Sequence, residues 1–483
     1  MKMKKILLSI FTLMLCFSMA ACTLNQSGND TKVKEEVTDV VVVGGGVSGL
    51  NAAIFAAQNG AKVTLVEKQG MLGGSGLVSS GYLFTVNSNG LINGDDSIEH
   101  AFSFWKPTAE LGSKKSGYPN WDRLEYTLEK TGETVNKLVE LGVTIANAMS
   151  IPTGSMVGIE GGGAGYTSKL TEIVKSQSVD VLLNTKATEL VVEDDVVVGV
   201  KVSSEEGEKI FKAKTVILAT GGYALDEEKV AEWTPDAKFV YNGRIASGDT
   251  GDGFDMALKV GAALYENQCL MISTTMPEAE YNRLDKAVSV LSLGNSLVVS
   301  PEGKRFVNEN PAAYSEFGNV MIDNQIEFCY ALMNATNDNK AVLESGMERG
   351  EVVKAASIEE LATTLAINPT VLQETFDHYN QLCANGNDDD FNKATANLIA
   401  LEESEIYAVK YYSTSIGTIG GVKTNKNHEV LRGDGTVIEG LLAIGEMSNR
   451  EFYNYYYVGG ASLGLYSTMG RLAGEYAAQR VTE

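Results

Sequence analysis

Cysteine, histidine and basic charge are all scarce in this sequence, and each scarcity closes off a chemistry. The five cysteines of the 483 residues include no C-x-x-C and no C-x-x-C-H, so iron–sulfur clusters and covalently attached haem are not expected. The only histidines, His100, His378 and His428, have no metal-site spacing. His378 falls mid-helix and His428 in a Lys/Asn-rich turn, so structural roles are expected for them and no metal. Lysine and arginine number 39 against 62 acids, giving a net charge of −23. Nucleic acid and anionic lipid surfaces are therefore poor partners, and a solvated acidic surface accounts for the charge. Internal repeats and low-complexity tracts are also missing.

What is present fits a packed globular protein of two or three domains, with 44% apolar and 21% charged residues. Residues 1–21 stand apart. Lys2, Lys4 and Lys5 precede an apolar run from Ile6 to Phe17, and Ala20-Ala21 lead into Cys22, the pattern of an export signal. Met19-Ala20-Ala21-Cys22 resembles a bacterial lipobox, which implies lipidation at Cys22, a polar tether over 22–37 and a place on the outer face of the cell membrane. Cleavage would remove three lysines and no acid, taking the charge to −26. Of the cysteines then left, Cys269, Cys329 and Cys383 are expected as buried, inert thiols.

The chain is organised around Asp39–Gly76. The valines Val40 to Val43 predict a buried parallel strand, which breaks into Gly44, Gly46 and Gly49 at the spacing G-x-G-x-x-G before a helix from Leu50 to Asn59. Such a turn brings backbone N–H groups at a helix N-terminus, including those of Val47 and Ser48, against a pyrophosphate. A second strand, Lys62–Val66, ends in Glu67-Lys68, where a carboxylate takes ribose hydroxyls. This much suits NAD or FAD. The small-residue loop that follows, with Gly73, Gly74, Ser75, Ser80 and Gly81, suits the longer FAD.

These residues resemble the FAD-dependent fumarate reductase and succinate dehydrogenase flavoproteins, a family that also holds urocanate reductases and 3-ketosteroid dehydrogenases. Four further stretches match in order: Ala219-Thr220-Gly221-Gly222, Gly248 to Gly253, Gly303 to Glu309 (G-K-R-F-V-N-E), and Gly440 to Glu446. The resemblance implies an α/β fold: a Rossmann-like FAD-binding domain, parallel sheet plus β-meander, over 38–270 and 416–483, with an inserted α+β capping domain over 271–415. It implies non-covalent FAD, because Gly73–Gly81 holds no histidine for a covalent link. Gly163 in the glycine-rich run before a helix at Tyr166–Ser176, Ala187 at the start of the meander, Thr220, Gly221, Asp252, Gly445, Glu446, Ser462 and Leu463 are the further expected cofactor contacts. A single helix is predicted over Trp121–Leu141. Asp252 is expected to cap the helix Gly253–Val260.

Every cationic slot that fumarate-type members use is changed here. After Asn308-Glu309 comes Asn310-Pro311-Ala312-Ala313-Tyr314; the H-P-T slot falls near Ser273-Thr274; Gly417 stands before Thr418-Ile419-Gly420-Gly421; and the C-terminal arginine slot falls at Tyr457. A dicarboxylate would lose charge-assisted pairs at ~1.5–3 kcal/mol each. Tyrosines take their place. Tyr314 lies close to the tyrosine that ketosteroid dehydrogenases use for proton transfer. Tyr456 and Gly460 resemble their Y-x-x-x-G, which binds a ketone oxygen, and Tyr457 beside them is a further candidate catalytic residue.

The expectation is an exported FAD oxidoreductase of CH–CH groups that reduces a carbon–carbon double bond conjugated to a carbonyl in a hydrophobic or aromatic small molecule. Its electrons would come from a separate FMN- or quinone-linked redox protein, since no haem motif or FMN-attachment domain is present. Two other readings remain open: the same site run in reverse as a 3-ketosteroid-type dehydrogenase, and a non-catalytic flavin-binding lipoprotein.

Overall fold

The computed structural model describes residues 33–112, 114–151, 154–243, 245–272, 295–309 and 314–482. The expected signal peptide, Cys22, Ser273-Thr274 and Asn310–Ala313 lie outside the described residues, as do the side chains of residues 314–316.

The main body is carried by a six-stranded sheet in the order Glu429–Leu431, Val437–Ala443, Thr215–Leu218, Val40–Val43, Val63–Val66, Val179–Leu182. All neighbours are parallel except the Glu429–Leu431 edge. The four valines are buried, as a central strand covered on both faces requires. The helix that follows runs Val47–Gln58, directly after its N-cap Gly46, and so starts three residues ahead of the expected Leu50. It packs against the C-terminal helix Ala461–Thr482 almost backbone to backbone. A Cβ at Gly470 would stand 2.3 Å from the Ser48 carbonyl oxygen and one at Gly474 2.4 Å from that of Ala52.

The meander forms as read, with strands Lys186–Glu193, Val196–Ser204 and Gly207–Lys212 in antiparallel register. Asp194 and Asp195 both take positive φ, the backbone of a tight primed hairpin turn. The single helix expected over Trp121–Leu141 is two, Trp121–Glu129 and Thr131–Glu140. The break falls at Lys130-Thr131 because the Thr131 hydroxyl leaves the helical pattern, accepting the Val86 N–H at 2.9 Å and donating to the Leu128 carbonyl at 2.6 Å.

A second mixed sheet is built on the long strand Ile406–Ile419, flanked by Val240–Asn242 and Phe328–Met333, with Leu297–Val299 beyond; Cys269–Ile272 and Val352–Ala355 also pair with the long strand. This sheet draws on residues from both sides of the expected boundaries at 270 and 415. The helices Ile358–Leu365 and Pro369–Asn385 cover it, capped by Ser357 and Asn368, and the second stops at Gly386 with φ +67°. The architecture is therefore α/β, a parallel-sheet domain carrying a capping region.

Candidate active site

A cavity of about 1160 Å³ opens where the central strands end and the chain turns into helices. It is larger than a typical cleft for one small ligand, ~300–1,000 Å³. The turn Gly44–Gly46 and the first turn of helix Val47–Gln58 form one wall. Gly46 is the N-cap; no side chain caps this helix, and a Cβ built on Gly46 would meet nothing within 4 Å. The helix thus presents uncapped N–H groups to open space, an anion cradle. Glu67, at the end of the neighbouring strand, is fixed by the Gly45 N–H at 2.7 Å and the Gln69 N–H at 2.8 Å.

Charged groups gather along the next stretch. Lys68 donates to Asp252 at 2.5 Å and to Thr250 at 2.6 Å, and Lys186 reaches the other Asp252 oxygen at 2.8 Å. Burial raises the Asp252 pKa, but the two lysines outweigh it and hold the carboxyl below its usual range. Asp252 is the first residue of its helix and Gly251 the N-cap, so the expected capping role gives way to ion pairing. Asp249 and Glu446 flank the Gly221-Gly222 turn: Asp249 accepts the Gly222 and Ala224 N–H groups, and Glu446 accepts the Thr418 N–H at 2.6 Å and its hydroxyl at 2.8 Å. Burial lifts Asp249 to about 6 despite those N–H groups. Burial and the facing Asp249 charge push Glu446 well above the carboxylate range.

The far end is apolar. Phe104, Leu111, Met156, Met271 and Ile416 wall it, with Tyr457, Gly460, Ser462 and Leu463 at the start of the C-terminal helix. Among the described residues, no arginine and no histidine lines the cavity. The Gly417 position leaves no room for a side chain, since a Cβ there would lie 2.7 Å from the Glu446 carboxyl.

The sequence matches the FAD binding domain family over residues 39–463. The chain belongs to that family. It is 28% identical over 457 residues to the probable fumarate reductase Ifc3 of Shewanella frigidimarina, covering 93% of this chain and 76% of that protein. It is also 28% identical over 498 residues to the vinyl phenol reductase of Lactiplantibacillus plantarum, 93% of this chain and 98% of that protein. The solved 3-ketosteroid-Δ4-(5α)-dehydrogenase of Rhodococcus jostii RHA1, in complex with 4-androstene-3,17-dione, shares the fold at a TM-score of 0.74 and 22% identity, over 94% of this chain and 99% of that one. This FAD-binding-domain protein is an oxidoreductase of carbon–carbon bonds, and its cofactor is FAD. The residues fit that cofactor: the uncapped helix N-terminus suits a pyrophosphate, and Glu67 suits ribose hydroxyls.

Of the residues expected to hold FAD, most line the cavity of the FAD-binding-domain protein. Gly44, Gly46, Val47 and Ser48 do so from the first turn; Glu67, Lys68, Gly74, Ser75, Ser80 and Gly81 from the loop after the second strand; Ala187, Thr220, Gly221 and Asp252 from the meander and the turns that follow it; and Glu446, Ser462 and Leu463 from the return of the chain. Gly49, Gly73, Gly163 and Gly445 do not. Each is a point of close approach behind the lining. A Cβ at Gly49 would lie 1.9 Å from the Gly44 carbonyl oxygen, and one at Gly163 2.1 Å from that of Gly76. Those at Gly73 and Gly445 would strike Leu77 and Ser48.

The tyrosines divide differently from the expectation. Tyr456 is turned away from the cavity, its hydroxyl packed where a Cβ on Gly112 would fall. Its neighbour Tyr457 lines the cavity beside Gly460. Tyr314 is the first residue of helix Tyr314–Asp323, and its side chain lies outside the described residues. Sequence reasoning passed over Asp249. Its signal was present in Gly248 to Gly253, which holds two aspartates, and only the fold shows that the first one ties down the Gly221-Gly222 turn. It also passed over Met156, Met271 and Ile416, apolar residues with no motif to mark them.

Proposed function

We propose that the protein reduces a carbon–carbon double bond conjugated to a carbonyl or an aromatic ring in a hydrophobic acceptor, and that fumarate is not its substrate. The observation that carries this is the apolar far wall of the cavity, Phe104, Leu111, Met156, Met271 and Ile416, with no guanidinium or imidazole lining it among the described residues. A dicarboxylate placed there would leave its charges unpaired in a dry site, whereas an aryl group buries apolar surface. The similarity to a vinyl phenol reductase along 98% of that protein's length supports an aromatic acceptor. FAD, when bound, supplies the hydride chemistry. The chain binds and orients the acceptor, excludes water and provides a proton. Electrons arrive from a separate redox protein, and the Cys22 motif supports an exported, lipid-anchored location.

Anaerobic stopped-flow mixing tests this. The photoreduced holoprotein is mixed with 4-vinylphenol, 4-hydroxycinnamate, a steroid enone and fumarate, and flavin absorbance is followed. Reoxidation by an arylalkene or enone and not by fumarate is the expected result. Rapid reoxidation by fumarate alone overturns the proposal.

A further inference from the structure

We infer that Tyr457 is the acid of the reaction, passing its phenol proton to the alkene carbon that does not receive hydride. This rests on the reductase reading above and goes beyond it, since the family resemblance places an arginine slot, not an acid, at this position.

The geometry carries the assignment. Tyr457 lines the far end of the cavity and is only 9% exposed. Its phenol oxygen accepts the Ser462 N–H at 3.4 Å. A backbone N–H only donates, so in this contact the oxygen is the acceptor and the phenol proton is not used by it. Ser462 lies in the first turn of the helix Ala461–Thr482, 22 residues long, where the positive end of the dipole favours negative charge. A phenolate left after proton transfer would therefore be born in a preorganised cradle.

Two of the neighbouring phenols, Tyr453 and Tyr456, lie outside the cavity lining. Tyr456 is turned against Gly112. Tyr453 is 1% exposed and lies behind Tyr457, ring centroids 5.7 Å apart. Tyr82 and Tyr466 also line the cavity, and the Tyr466 oxygen accepts an Asn449 amide N–H at 2.8 Å; neither is held by the first turn of the C-terminal helix as Tyr457 is. Burial raises the Tyr457 pKa against the pull of the Ser462 hydroxyl and the N–H groups at the helix start, which keeps the proton in place at neutral pH, as an acid requires.

The step balances. The alkene π bond breaks and two C–H bonds form, one from hydride supplied by reduced FAD and one from the Tyr457 proton. The alkene gains two electrons and the flavin loses two. The Tyr457 O–H bond breaks, and water returns a proton to the phenolate.

The test uses the full-length holoprotein and its Tyr457→Phe, Tyr466→Phe and Tyr314→Phe variants, photoreduced and mixed with 4-vinylphenol. Tyr457→Phe should slow alkene reoxidation by ~100-fold or more, abolish the solvent deuterium isotope effect on that step, and leave reoxidation by ferricyanide unchanged. Binding of the saturated analogue 4-ethylphenol, read by tryptophan quenching, should stay within about twofold, because an acid acts in the transition state and not in ground-state binding. Unchanged alkene reoxidation in Tyr457→Phe overturns the inference. So does a parallel loss of 4-ethylphenol binding, or the same rate loss in Tyr466→Phe or Tyr314→Phe instead. If neither 4-vinylphenol nor any other alkene tested reoxidises the unaltered protein, the reductase reading itself fails, a result distinct from a defect confined to one variant.

Discussion

Arg305 holds Glu309 through two parallel hydrogen bonds, Nε to Oε1 at 2.9 Å and Nη2 to Oε2 at 2.8 Å. The same guanidinium grips Asp388 at 2.8 and 2.7 Å, and Lys393 approaches Glu309 at 3.4 Å. Arg305 and Glu309 of the G-K-R-F-V-N-E motif are thus consumed in a buried network of the capping region. Neither Arg305 nor Glu309 is available to a substrate, which makes the lack of an arginine in the stretch after Glu309 chemically decisive.

Breaking that network should be costly because it strands a buried charge. Arg305→Ala is expected to lower unfolding free energy by about 3–5 kcal/mol, read from urea denaturation of the variant against the parent. Glu309→Gln should cost less, since it keeps one acceptor. Equal and negligible effects would contradict the burial seen at both side chains.

Gly44 and Gly46 are expected to fail in different ways. A Cβ at Gly44 would lie 2.3 Å from the Ala219 carbonyl oxygen and the residue holds φ +103°, so Gly44→Ala should destabilise the apoprotein itself. Gly46→Ala meets only open space. It should keep the apoprotein Tm while weakening FAD binding roughly tenfold, on the order of 1.4 kcal/mol, by filling the anion cradle. Thermal shift of the apoprotein and FAD titration by flavin fluorescence separate the two.

His428 predicts a pH dependence of stability. Its ring is buried against Arg123, whose Nη2 lies 3.1 Å from Nδ1, and burial followed by the Arg123 charge lowers its pKa well below the ordinary 6.5. The unfolded chain takes up the proton first. Stability from this site is therefore complete above about pH 6.5 and falls as the pH drops below it, by up to ~1.4 kcal/mol per unit until the folded pKa is reached. Urea midpoints between pH 7.5 and 5 should show the fall, and His428→Gln should flatten it. An unchanged slope in that variant would place the effect elsewhere.

Cys22 is expected to carry the lipid. Labelling growing cells with a radioactive fatty acid should mark the protein, and Cys22→Ala should abolish the label and release the chain from the membrane fraction. Label retained in the variant would refute the assignment.

The sequence by itself determined the cofactor domain. Val40–Val43, the glycine spacing that follows and Glu67 are local in the chain, and the turn, the helix start and the strand end follow from local sterics and hydrogen bonding. The β-meander was readable for the same reason. Long-range packing decided the rest: the break at Thr131, which answers to Val86; the retreat of Gly163 and Gly445 behind the lining, where Gly76 and Ser48 approach them; the role of Asp249 at a turn 27 positions away from it; and the choice of Tyr457 over Tyr456. Two adjacent tyrosines are chemically identical in a sequence. Which one faces the cavity depends on the path of the loop between Asn449 and the C-terminal helix, and that path is set by contacts with residues hundreds of positions away, such as the Trp105 indole hydrogen-bonded to the Phe452 carbonyl.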